Sequence, residues 1–205
     1  MISFMTKRYI HEKARNSTIP SDYVNILKKI ESRNSFYGRQ VRFSWLYNHK
    51  DYLNANAFFG KYILLNSEWA FRFTLLNDSK LDNAFDITIG HEMTHKEKEL
   101  CPIRLNSKKR KFVRWINEVH ADFGGAQKMA DGSREKLLAA IKYKSDLHTN
   151  STDNEAHPSW KRRKCYVENY DFEPQLVRKI ASDIGYNNQV FIEEVCNFYP
   201  NIKLQ

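Results

Sequence analysis

His91-Glu92-Met93-Thr94-His95 sets two histidines four residues apart, with a glutamate directly after the first. Residues at that spacing lie about one turn apart on the same face of an α-helix, so this segment must be helical for both imidazoles to meet one ion. A second element must then complete the set. The preceding residues favour such a helix: Leu81, Ala84, Phe85, Ile87 and Ile89 are apolar, and Asp78 or Ser79 stands near the start. A helix from about Leu81 to Glu99 with a buried first half is expected. A buried histidine pair needs partners, and a metal is a good one; the alternative is an amphipathic helix with two solvent-facing histidines. Glu92 can reach an ion-bound water from the side, and Gly90 leaves room for close approach.

Asn117-Glu118-Val119-His120-Ala121-Asp122 supplies the missing element. Phe112, Trp115, Ile116, Val119, Phe123 and Ala126 recur every three or four residues, predicting a helix over Lys111 to Ala130 that bends or loosens at Gly124-Gly125. Glu118 and Asp122 are four apart on it, so one carboxylate can meet the metal while the other meets the second nitrogen of a ligand imidazole. His120 is the rival third ligand, although two residues from Glu118 it points to another side of the helix. The bland alternative is a pair of surface charges. His91, His95 and Glu118 with an open water position describe a catalytic Zn2+ site, because a structural zinc is closed by four protein ligands, usually including thiolates.

The rest of the chain places these helices. Ser21 or Asp22 can cap a helix carrying Tyr23, Val24, Ile26, Leu27 and Ile30 and ending near Asn34. Val41 to Tyr47, Ala55 to Phe59 and Tyr62 to Leu65 are rich in β-branched and aromatic residues and predict a small sheet ending in a hairpin. A helical pattern returns over Trp69 to Leu76. Leu100 to Lys109, with Pro102, is a break; Ser133 opens a helix through Leu147; His148 to Ser159 is a polar loop; short helices follow. A mixed α+β domain dominated by helices is the expectation.

Cys101, Cys165 and Cys196 form neither a disulfide framework nor a CxxC zinc pair, which fits a reducing, cytoplasmic setting. No stretch nears the roughly 18 to 20 apolar residues that span a bilayer, and no signal peptide is recognisable, so no integral membrane association is expected. The net charge of +9 favours polyanions or acidic substrates at long range and concentrates at Lys108–Lys111 and Lys161–Lys164. Nucleic acid is a possible partner but not the favoured one, since its recognition usually brings a recognisable module; solvated loops and helix ends explain both runs.

With these residues placed, the chain resembles the gluzincin peptidases of the HtpX and CAAX prenyl endopeptidase type, including the soluble minigluzincins. Beyond the histidine motif, Asn56-Ala57-Phe58 followed by Gly60 and Tyr62 to Asn66 looks like the family's strand and hairpin ahead of the metal helix. The Glu118 helix and His157-Pro158 with Arg163 look like its later elements. The resemblance runs from about Val41 to Lys164. It implies that Asn56, Ala57 and Phe58 form the cleft edge where an extended peptide adds as a strand. It also implies that His157 lies near the zinc and stabilises the oxyanion, with Arg163 supporting the pocket.

For 205 residues a single domain follows: a helical extension over 1–40, a zincin-like core over 41–165 and a helical extension over 166–205, packed together. The expected activity is hydrolysis of protein or peptide substrates, with Glu92 as general base. A DNA-associated or regulator-cleaving peptidase shares that chemistry. A non-catalytic zinc-holding binder does not, and an intact Glu92 argues against it.

Overall fold

The computed structural model describes residues 40–44, 55–58, 62–66, 79–103, 105–147 and 152–205, with strand side chains described at Ala55 and Ile63. The helical patterns at Ser21 to Asn34 and Trp69 to Leu76, and the extension 1–40 apart from Gln40, lie outside these residues. Strands β1 (Gln40–Ser44), β2 (Ala55–Phe58) and β3 (Tyr62–Asn66) come first. Helices α1 (Ser79–Glu97), α2 (Ser107–Met129), α3 (Arg134–Leu147), α4 (Trp160–Asn169), α5 (Pro174–Asp183) and α6 (Gln189–Phe198) follow.

β3 runs parallel to β1, with Gln40 opposite Tyr62, and antiparallel to β2, with Ala55 opposite Leu65. This ladder supplies only Ala55 and Ile63 to the described core, and the remaining core residues come almost entirely from helices and the turns between them. The α+β expectation with its small β-sheet is therefore corrected to a mainly helical fold: of the residues described with their side chains, 69% are helical and 3% are in strand. Short β-branched and aromatic runs mark where backbone can pair. They do not decide what layers the core, and here helix packs on helix.

α1 and α2 cross almost backbone to backbone. A Cβ added at Gly125 would stand 2.8 Å from His91 N and 3.0 Å from Ile87 O, and one at Gly90 would stand 2.7 Å from Gly125 O. Glu118, Asp122 and Gly125 share one face of α2 at helical spacing, so the close crossing also turns both carboxylates toward α1. α2 is helical without interruption through Gly124-Gly125, and the lack of side chains there serves the crossing.

The C-terminal residues join the same core. Leu176, Val177 and Ile180 of α5, Ile192 and Val195 of α6, then Tyr199 and Ile202 are buried in one cluster with Phe112, Val119 and Phe123 of α2. Both basic runs lie in opening turns of helices, Lys108–Lys111 after the Asn106 cap and Lys161–Lys164 after the Ser159 cap. Positive charge is unfavourable there. It is offset locally: Arg110 and Arg114 stand 3.7 and 3.8 Å from Glu155, Arg162 stands 2.6 Å from Asp153, and Lys109 lies 3.5 Å over the Phe191 ring. No helix among the described residues is long and apolar enough to cross a membrane.

Candidate metal centre

The two motif histidines project from α1 with their Nε2 atoms 2.9 Å apart. Glu118 reaches them from α2, with Oε2 3.5 Å from His91 Nε2 and Oε1 3.6 Å from His95 Nε2. One ligand atom from each of the three falls within a mutual span of 4.8 Å.

The outer nitrogens lead away to different carboxylates. His91 Nδ1 is 2.9 Å from Asp122 Oδ1, in hydrogen-bond range, and His95 Nδ1 is 3.7 Å from Glu99 Oε2, an ion-pair distance. Each contact favours the tautomer that carries hydrogen on Nδ1, which leaves the Nε2 lone pairs converging on each other and on a carboxylate. Such a cluster of donors demands a cation, and the set of two imidazoles, one carboxylate and no thiolate fits zinc with an open coordination position. Burial opposes charge on His91, but hydrogen bonds to Asp122 and Glu118 outweigh it and raise its pKa to about 9. His95 is lowered to about 3 by burial and then by the His91 charge. Burial works against Glu118 ionising, yet His91, His95 and Arg163 hold it well below the usual carboxylate range.

Asp122 is itself gripped from α4. Arg163 donates through Nε to Asp122 Oδ2 at 2.7 Å and through a second nitrogen to Oδ1, while its remaining nitrogen stands 3.8 Å from Glu118 Oε2. The guanidinium also lies 4.2 Å over the Trp160 ring. Burial disfavours both charges, but their pairing lowers the pKa of Asp122 and raises that of Arg163.

His157 is brought in by a turn built from side-chain acceptors. Asn154 Oδ1 accepts from the backbone N–H groups of Ala156 and His157 at 2.8 Å, and the Trp115 indole of α2 donates to Asn154 O at 2.9 Å. The His157 side chain stays 54% exposed, with Nε2 3.5 Å from Glu118 Oε1, so it sits at the mouth of the cluster. Glu92 is buried on the same helix as the histidines. Its charge favours the charged forms of Lys144 of α3 and Arg163 of α4. Asn56, Ala57 and Phe58 lie in β2, which pairs on one side with β3; their side chains are outside the described residues.

His120 does not join the ligands. It packs against Phe172 and Tyr199 with ring centroids 5.0 and 4.5 Å away, and its Nε2 has no hydrogen-bond partner among the described residues. Burial lowers its pKa to about 4, so it is neutral at physiological pH.

Sequence reading missed Glu99, Asn117, Tyr199 and Lys144. Asn117 donates to Glu99 Oε1 at 2.7 Å and to Leu100 O at 2.9 Å, and it accepts from the Tyr199 hydroxyl, which in turn accepts from Leu100 N at 3.1 Å. Glu99 was findable, since it follows His95 by the four-residue spacing that singled out Glu118 and Asp122. Tyr199 and Lys144 carry no local signal, because docking of α3 and of the C-terminal residues brings them here.

No family model, curated protein or solved structure matches this chain. The likeness to gluzincins therefore rests on the motifs themselves.

Proposed function

We propose that the chain is a zinc metalloendopeptidase of the gluzincin type, acting on proteins or peptides, with His91, His95 and Glu118 as metal ligands. The observation that carries this reading is the convergence of both Nε2 atoms and the Glu118 carboxylate on one point, on the helix where Glu92 directly follows His91. Zinc held there supplies a Lewis acid for the scissile carbonyl and lowers the pKa of a water to about 7. The Glu92 carboxylate takes the proton of the attacking water and delivers it to the leaving amine. Asp122 fixes the His91 ring through Nδ1, and Arg163 fixes Asp122. His157, at the mouth, is the group that meets the oxyanion. Asn56 to Phe58 serve as the cleft edge for an extended peptide, and the setting is a reducing, cytoplasmic one, in keeping with three free cysteines.

Glu92→Gln tests the reading, because glutamine keeps the shape and cannot accept the proton. The variant should hold zinc at the wild-type ratio and lose about 10²- to 10⁴-fold in hydrolysis of a mixed library of unfolded proteins and peptides. His91→Ala, His95→Ala and Glu118→Ala should each lose zinc by metal analysis. Equal cleavage by Glu92→Gln rejects the base, and no cleavage by zinc-loaded wild type favours a zinc-holding binder.

A further inference from the structure

Lys144 is a charged group near the centre that the proposed chemistry does not use. It projects from α3 onto α1, where Nζ donates to Thr88 Oγ1 at 3.2 Å, and Thr88 in turn donates to Ala84 O at 2.7 Å. Thr88 is buried and precedes His91 by three residues and Glu92 by four, on the helix face that carries the metal ligands. The ammonium thus lies about one turn, or ~6 Å, before Glu92 along that face. An ammonium has three N–H donors. Thr88 is its one hydrogen-bond acceptor among the described residues, and no carboxylate there forms an ion pair with it. Its other contact is the Trp160 ring, 5.4 Å away, which Arg163 also covers.

An ammonium in such surroundings is costly without an anion. Burial and then Arg163 lower its pKa to about 8, with Glu92, Asp122 and Glu118 acting in the other direction, so it remains largely charged at neutral pH. Lys144 as a whole residue is half-buried, and its ammonium is turned inward onto α1.

We propose that Lys144 is a substrate-recognition residue that binds a carboxylate of the peptide close to the scissile bond. The ammonium's place about one helical turn before Glu92 sets that carboxylate near the bond that Glu92 serves. That carboxylate is either an Asp or Glu side chain or the free C-terminus of the peptide. The inference rests on the peptidase reading above and adds a substrate class to it.

The probe is a fluorogenic peptide set in which each position flanking the cleaved bond is Glu, Gln or Lys, each made as C-terminal acid and C-terminal amide. Zinc-loaded wild type should prefer one acidic member by about 10- to 100-fold in kcat/KM, the range expected for one charge-assisted hydrogen bond. Lys144→Met should remove that preference, bringing kcat/KM for the acidic member down to that of its Gln counterpart in the same variant, and Lys144→Glu should shift it toward Lys. A preference confined to C-terminal acids identifies the terminal carboxylate; one that survives amidation identifies a side chain. Anisotropy of the same peptides, labelled, on zinc-loaded Glu92→Gln should show the same charge preference in Kd without turnover. Equal loss across acidic, neutral and basic peptides in Lys144→Met would overturn the assignment and make Lys144 a support for Glu92. Cleavage by wild type with no charge preference overturns it too. Failure of wild type to cleave any member strikes the peptidase reading instead, and the binding arm then decides Lys144 by itself.

Discussion

His91 and His95 leave the same helix and face the same point, yet they are held from behind in opposite ways. Behind His91 stands a sealed ion pair, with the Asp122 and Arg163 side chains 4% and 8% exposed. Behind His95 stands Glu99, 38% exposed at its side chain and anchored by the neutral groups Asn117 and Tyr199. Burial raises the Glu99 pKa, and the Asn117 hydrogen bond only partly opposes this. A sealed charge must be matched by another charge, whereas a carboxylate near water needs only neutral donors to fix its direction. The inner arm therefore contributes to both fold and metal; the outer arm should act mainly on the metal.

The largest expected effect breaks the inner arm at its cation. Arg163→Leu leaves the Asp122 carboxylate buried without its partner, and removing one member of a buried pair costs about 3 to 5 kcal/mol. Denaturant unfolding should show that loss. A change below about 1 kcal/mol would mean that Asp122 is far less sealed than its burial indicates.

Asp122→Ala comes next. It should weaken zinc by about 10- to 100-fold, the usual result of losing the group that orients a ligand imidazole. Chelator competition measures this directly. Glu99→Ala should lie at the lower end of that range, since its contact to His95 is 3.7 Å against 2.9 Å for the inner arm. Equal losses for both would remove the distinction between the arms.

Gly125→Ala tests the crossing that both arms share. The new Cβ meets backbone atoms of α1, which have little freedom to shift, so a destabilisation of about 1 to 3 kcal/mol is expected by thermal or denaturant unfolding. Wild-type stability would show that α1 and α2 can part without cost.

These differences explain what could be read from sequence and what could not. The ligand set, its general base and Asp122 follow from the four-residue periodicity of single helices, which is local geometry. The arm behind His95 is half local: Glu99 obeys the same spacing, whereas Tyr199 arrives only because α5 and α6 pack their apolar faces on α2. The class of the fold escapes local patterns for a related reason. Residues such as Val41, Phe43 and Ile63 signal that the backbone can pair, and no local pattern reveals that the main layers come from the C-terminal helices. Gly124-Gly125 suggests a weakness in α2, because a glycine pair has the same local preference in a bend and in a close crossing. Only the partner helix distinguishes them.

The smallest expected effect asks whether the arms are separate at all. Asp122 and Glu99 hold different rings and are anchored by different residues, Arg163 in one case and Asn117 with Tyr199 in the other. Changes without shared partners add to within about 0.5 kcal/mol. The zinc affinity lost in Asp122→Ala combined with Glu99→Ala should therefore equal the product of the single losses within roughly a factor of two. The rings do meet at Nε2, and Glu118 touches both, so a connection exists through which the arms can couple. If a bound ion fixes that meeting point, each arm sets only the direction of its own ring and the losses multiply. A double variant no weaker than Asp122→Ala alone would mean that His95 takes its position from His91 and Glu118, with Glu99 as a bystander. A loss far beyond the product would mean that either arm can hold the pair without the other, and that the two carboxylates back each other up.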